Sequence, residues 1–402
     1  MEKTLFPFVI PFTCLSYFIL LSALASGSET KLSYVTRELL ESAREPEFFN
    51  WLKRVRRRIH EYPELAFEEY NTSEVIRSEL DSLGIKYIWP IAKTGGVGSV
   101  GSGLETWFGL RADMDALPIQ IAFSDINSEG SVKLVFQPAE EGGGGAYHML
   151  KEGALDKFQA IFGLHVEPEL PVGSIASRPG TLAAGSARFL AVIKGKGGHA
   201  ALPQDTRDPV LATSFAILAL QQLISRETDP LEARVLSLGF IEAGQAGNVI
   251  PEKVRFGGTI RSITTEGLSY LQQRIKEVVE NQAAVHQCSA SVDFMEETMR
   301  PYPATVNDEA MYEHAKQVGE ALLGESNVQV AAPIMAAEDF SFYAQKMKAA
   351  FFQIGVQNKN EKSFKRLHTP FFFLDEEVLP IGAALHAAVA ISYLDNSAVE
   401  TH

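Results

Sequence analysis

Apolar residues recur at helical spacing over residues 51–62 and again over 71–83, where the pattern stops at Gly84. Asn71 and Glu74 stand at capping-box spacing, which predicts a helix opening at Asn71. Short apolar runs follow at 85–89, 97–100, 107–112, 132–136 and 160–166, divided by glycine and proline. That is the pattern of buried strands in an α/β sheet. The middle third has a different rhythm: strand 189–194, helix 209–224, strands 233–242 and 254–261, helix 264–285 and strand 289–294. The order βαββαβ predicts a ferredoxin-like layer of two helices on an antiparallel sheet. The last third returns to helix 308–323, strand 350–355 and helix 380–394. The expected architecture is a discontinuous α/β domain (residues 37–184 and 298–396) interrupted by an inserted α+β module (185–297).

Composition narrows the function classes. The chain has 402 residues, 46% of them apolar and 21% charged, enough for a large core. Its net charge of −14 repels phosphate backbones. The basic cluster Lys53-Arg54-Val55-Arg56-Arg57-Arg58 lies in a helical pattern and reads as a solvated face, so no nucleic-acid partner is expected. After Glu2 and Lys3, residues 4–27 carry no charge, and Ala23-Leu24-Ala25 offers a cleavage site. Residues 1–25 therefore read as a secretory signal peptide whose removal leaves no stable membrane span. The expected address is the secretory pathway, with the endoplasmic reticulum lumen or the cell exterior as end point. Of the two cysteines, Cys14 would leave with the signal, and Cys288 alone forms no internal disulfide. Asn71-Thr72-Ser73 matches a glycosylation sequon, but the helix cap is the stronger local signal for Asn71.

Candidate chemistry centres on Gln137-Pro138-Ala139-Glu140-Glu141-Gly142, directly after the strand 132–136. Neighbouring helical residues point about 100° apart, so two adjacent glutamates suit two tasks. One can ligate a metal while the other orients or deprotonates its water. The bland alternative is an acidic first turn stabilised by the helix dipole. His165 closes the strand 160–166, at the sheet end where α/β folds bind ligands. His368 lies in the turn Leu367-His368-Thr369-Pro370, and His199 follows the loop Gly195-Lys196-Gly197-Gly198 of the insert. Glu141, His165 and His368 match a metal set of two histidines and one carboxylate, although their separation in sequence leaves convergence for the fold to decide.

Several ordered motifs carry a resemblance. They are Ile59-His60-Glu61-Tyr62-Pro63-Glu64-Leu65, Leu110-Arg111-Ala112-Asp113-Met114-Asp115-Ala116-Leu117-Pro118, the Gln137 to Gly142 turn and Gly163-Leu164-His165-Val166. Gly197-Gly198-His199-Ala200-Ala201-Leu202-Pro203, Gly247-Asn248-Val249-Ile250-Pro251 and His368-Thr369-Pro370 complete the set. The chain resembles the plant auxin-conjugate hydrolases, IAA–amino acid amidohydrolases of the aminoacylase-like metallopeptidase family. The resemblance implies a metallopeptidase-type catalytic domain with two manganese or zinc ions. It also implies cleavage of N-acyl amino acids, above all indole-3-acetic acid conjugates, to release free auxin. Carried over by motif, Glu140 is the general base, and Glu141, His165 and His368 are metal ligands. His199, supplied by a partner subunit of a homodimer formed through the insert, stabilises the tetrahedral intermediate; Asn248 and Arg261 contact the substrate carboxylate.

The chain also departs from that family. A Cys-Gly-His-Asp-Ala-His motif, whose Cys and first His are metal ligands, is expected between Pro118 and Val132, yet no Cys or His occurs between His60 and His148. Three ligands remain where the family uses five, so at most one metal is expected to be well held. The missing stretch should also carry a crossover helix, and its loss predicts a bare apolar patch on one sheet face with reduced stability. The competing functional reading is a catalytically impaired homologue acting as a non-enzymatic dimerising partner.

Overall fold

The computed structural model describes residues 30–400 except 104, 116–129, 359–365 and 370. Residues 1–25, read above as a signal peptide, Cys14 and most of the stretch that stands in place of the Cys/His motif lie outside the described residues. Three helices come first: α1 (Lys31–Arg44), α2 (Pro46–His60) and α3 (Tyr70–Ser82). Strands β1 (Lys86–Ile91), β2 (Gly95–Gly101), β3 (Trp107–Asp113) and β4 (Ser131–Gln137) follow. Beyond α4 (Gly145–Lys151) come β5 (Phe158–Pro171), β6 (Ile175–Ser177) and β7 (Gly180–Ala183). The insert contributes β8 (Gly185–Lys194), β9 (Gly198–His199), α5 (Pro209–Ser225), β10 (Arg234–Glu242), β11 (Val249–Ile250), β12 (Lys253–Ser262), α6 (Thr265–Val285) and β13 (Ser289–Asp293). The chain closes with β14 (Thr305–Asn307), α7 (Glu309–Leu323), β15 (Val328–Val330), α8 (Ser341–Ala344), β16 (Lys348–Gln357) and α9 (Val378–Glu400).

The main sheet is mixed, in the order β1-β2-β4-β3-β5-β16-β6-β15. Its centre, β4-β3-β5-β16, is parallel. Parallel strands covered on both faces must be apolar throughout. Accordingly β4 is buried along its whole length. Strand β16 comes from the last third of the chain yet pairs with β5 and β6, which explains the discontinuous pattern. The second sheet, β10-β12-β8-β13, is antiparallel and drawn entirely from the insert. Its βαββαβ order is that of a ferredoxin-like fold. Phe189, Phe256, Leu220, Leu271 and Ile275 form a core of its own under α5 and α6.

Two expectations are corrected. Helix α3 begins at Tyr70, so Asn71 lies within its first turn and is not the cap. The Glu64 carboxylate takes that task, accepting the Asn71 and Thr72 amides at 2.9 and 2.8 Å and the Asn71 side-chain amide at 2.9 Å. A full negative charge at the positive end of the helix does more than an amide oxygen can. Glu64→Ala should lower unfolding free energy by about 1 kcal/mol in urea titrations, the usual worth of a cap.

The bare sheet face is also not observed. Phe108, Leu110, Val132, Leu134 and Phe136 are at most 7% exposed. They share one cluster with Leu52, Val55 and Ile59 of α2, Val75 and Ile76 of α3, and Leu385, Val389 and Leu394 of α9. Helices from both ends of the chain thus close over the strands that the crossover was expected to shield. The stretch Val378–Ser397 of α9 is long and apolar enough to cross a membrane by length and composition, but most of it is buried inside the fold. Helix α1, not anticipated from the pattern, packs against α9, begins before residue 37, and is capped by Thr30.

Candidate metal centre and active site

The carboxyl end of β4 runs into the Pro138–Ala139–Glu140–Glu141 turn, where Ala139 (φ 57°), Gly142 (φ 87°) and Gly144 (φ 66°) adopt left-handed conformations. At Gly145 a Cβ would lie 1.6 Å from the Pro138 carbonyl oxygen, so only glycine lets the turn close. Three side chains from distant segments pin it. The buried Glu69 carboxylate accepts the Ala139 amide at 2.9 Å. Asp115, just past β3, accepts the Glu140 amide at 2.7 Å and the Glu141 amide at 2.9 Å through its two oxygens. The Tyr302 hydroxyl donates to the Glu140 carbonyl at 2.8 Å and accepts the Gly144 amide at 2.9 Å.

Glu140, Glu141, His165, Arg261 and His368 all line one cavity of about 410 Å³. His368, in a left-handed conformation (φ 58°), sets Nδ1 3.5 Å from Glu141 Oε1. His165 Nδ1 lies 2.7 Å from the Val166 carbonyl oxygen; as the donor there it leaves Nε2 free for a cation. Burial raises the Glu141 pKa, while His368 and His165 draw it back. Two imidazoles and one carboxylate thus line the same cavity, donors of the type that divalent ions take, with Glu141 and His368 as the close pair. His199 and Asn248 do not reach this cavity. They sit together on the exposed ribbon β9–β11, where His199 pairs with Val249 and the Ala200 amide donates to the Asn248 carbonyl.

A second acidic group lies beneath. Carboxylate oxygens of Glu140, Glu338 and Asp339 lie within 4.8 Å of one another, near enough to hold a metal. The buried Arg111 guanidinium already occupies their charge, 3.1 Å from Glu338, 3.6 Å from Asp339 and 3.6 Å from Asp113. Its Nε also donates to Gln137 at 3.0 Å, and Gln137 donates to Asp339 at 2.7 Å. Burial works against the arginine charge, but Asp113, Glu338, Asp339 and Glu140 keep it protonated. Burial, then Glu338 and Asp339, push Glu140 up to about 10, and burial likewise lifts Asp339 to about 8. Among the described residues this group offers carboxylates alone, with no Cys or His, and Arg111 already pairs with Glu338 and Asp339.

Sequence reasoning did not single out Glu69, Tyr302, Glu338 or Asp339 and gave Arg111 and Asp115 no role. The arginine and Asp115 stood inside a quoted motif, and a buried Arg beside two Asp was the available signal.

A turn that presents two glutamates at a strand end, in a cavity that two histidines also line, is the arrangement of a metal-dependent hydrolase. The family model described as Peptidase family M20/M25/M40 matches residues 120–392, and the chain belongs to that family. IAA-amino acid hydrolase ILR1-like 2 of Arabidopsis thaliana is 44% identical over 422 residues, covering 96% of this chain and 95% of the relative. N-acetylcysteine deacetylase of Bacillus subtilis is 33% identical over 384 residues, covering 87% and 98%. A solved Bacillus subtilis structure, described as a dinuclear metal binding peptidase from the M20 family, superposes with a TM-score of 0.71 at 28% identity over 88% of this chain and 99% of that one. The chain is therefore an enzyme of amide hydrolysis, and the reading as a non-enzymatic dimerising partner is not favoured. The 422 aligned positions outnumber the chain's own 402 residues, so the plant relative carries residues that have no counterpart here.

Proposed function

We propose that the chain hydrolyses indole-3-acetic acid–amino acid conjugates to free auxin and an amino acid. The observation that carries this reading is that Glu140, Glu141, His165 and His368 line one cavity, with His368 3.5 Å from Glu141. The similarity to a plant IAA-amino acid hydrolase supports the substrate class. A cavity of about 410 Å³ also suits an indole with a short linker.

Glu141, His165 and His368 hold one manganese or zinc ion. That ion acidifies water, polarises the amide carbonyl and favours the ionised form of Glu140 when bound. Glu140, its backbone fixed by Asp115 and Tyr302, takes the water proton and returns it to the departing amine. Arg261 receives the substrate carboxylate. His199 and Asn248 act from a second copy: their exposed ribbon lies outside the chain's own cavity. A dimer through the insert would cover Leu211, Phe215 and Leu218 of α5 and Phe240 and Ile241 of the edge strand β10, all exposed. Entry to the secretory pathway, with the endoplasmic reticulum lumen or exterior as address, rests on the apolar N-terminal stretch.

Elemental analysis of the purified chain after dialysis should find one manganese or zinc per chain, lost in Glu141→Gln and His368→Ala. Amino acid should be released from indole-3-acetyl conjugates. Two ions per chain would refute the single-ion centre, and a folded, metal-free chain without turnover would refute the hydrolase.

A further inference from the structure

The cavity has an unassigned cationic wall. Arg188, Arg261 and Arg300 all line it, on the side of the inserted sheet. Their placement follows from strand register around Ser186. Ser186 pairs with Arg261 across β8–β12. On its other side it bridges Tyr302, with amide-to-carbonyl distances of 2.8 and 2.9 Å in the two directions. Antiparallel partners share a face, as do residues two apart along a strand. Arg188 and Arg261 therefore leave the face opposite to that of Ala187 and Phe189, which packs under α5 and α6. Arg300 lies two residues before Tyr302, in the segment that bridges Ser186, and lines the same cavity.

The protein partners of these guanidiniums are neutral. Arg188 Nη1 lies 2.9 Å from Met299 Sδ, Arg261 Nη1 donates to the Met335 carbonyl at 2.7 Å, and Arg300 stacks 3.8 Å over the Tyr147 ring. Among the described residues none of the three is ion-paired, in a chain that carries 50 acidic residues against 36 basic ones. Like charges that line one cavity repel. Three of them facing a cavity make chemical sense when an anion with more than one carboxylate enters between them.

One carboxylate is already accounted for if Arg261 receives the α-carboxylate, and the subsite rests on that assignment. A second carboxylate close to the first belongs to the amino acid side chain, since the acyl group lies on the far side of the scissile amide. We infer that Arg188 and Arg300 form a subsite for the side-chain carboxylate of a dicarboxylic amino acid, which directs the enzyme toward aspartate and glutamate conjugates.

The test is calorimetric binding to the full chain, which does not require turnover. Indole-3-acetyl-L-aspartate should bind about tenfold more tightly than indole-3-acetyl-L-alanine at low salt, the worth of one charge-assisted contact. The preference should shrink as ionic strength rises, because Arg188 is exposed. Arg188→Gln and Arg300→Gln should bring the ratio of the two affinities toward one, with melting temperatures recorded to show that both variants fold. Equal binding of the two conjugates, or a ratio unmoved in both variants, overturns the subsite. If neither conjugate binds, the substrate reading itself fails and the subsite with it.

Discussion

Glu140→Gln is expected to lower kcat on an indole-3-acetyl conjugate by about 10³-fold, the usual scale for loss of a general base. The substitution keeps shape and hydrogen-bonding capacity but removes the ability to take a proton. The turn that carries it is held through backbone groups by Glu69, Asp115 and Tyr302, none of which is touched. Metal content should therefore stay level, since Glu141, His165 and His368 remain. Stability should hold or rise, because one of three crowded carboxylates is gone. Steady-state kinetics, elemental analysis and a thermal melt on one preparation check all three. A kcat within tenfold of the parent would assign the proton transfer to another group.

Arg111→Met is expected to cost about 3–5 kcal/mol of unfolding free energy, the scale for breaking a buried ion pair from one side. Arg111 is 2% exposed, and its guanidinium is the cation facing Asp113, Glu338 and Asp339. Without it these carboxylates must be protonated or lie uncompensated in a dry interior. The sign of the pH dependence follows. Asp339 already has a folded pKa raised to about 8, chiefly by burial, and loss of the arginine raises it further. An acid whose folded pKa exceeds its unfolded one stabilises the fold relative to high pH only while protonated. The deficit of Arg111→Met should therefore stay level up to about pH 8, where both folded proteins hold the Asp339 proton, and grow above it, and Asp339→Asn in the same chain should recover part of that growth. Urea titrations at about pH 7 and about pH 9.5 measure this, and a deficit below about 1 kcal/mol at the lower pH would show that the acids are solvated.

Much of the fold could be read from periodicity because the decisive elements bury both faces. Strands β3 and β4 and the first half of β5 are buried with almost no alternation, and the insert announces itself through its own βαββαβ rhythm. Helix α1 escaped notice because much of its length is polar and only Thr36 and Ala43 are buried. The cap at α3 was misplaced because a carboxylate seven residues upstream outcompetes the local asparagine, and capping rules see only neighbours. The candidate metal donors were recognisable as residue types at strand ends and in a turn. The acidic nest beneath them was not: Arg111 meets Glu338 across 227 positions, and charges so far apart look solvated in a linear reading. The expected gap over β3 and β4 failed for the same reason, since α2, α3 and α9 lie far from those strands in sequence.

Strand β16 lies between β5 and β6, which are nearly two hundred positions upstream of it. On the ribosome, the insert has all four strands of its antiparallel sheet and both helices before residue 348 is translated, whereas the main sheet still has an open slot. His368 emerges later still. A polypeptide cut short between these events would keep a folded lobe and an exposed seam but lack His368 of the candidate metal centre, so quality control has a clear means of telling finished molecules from fragments.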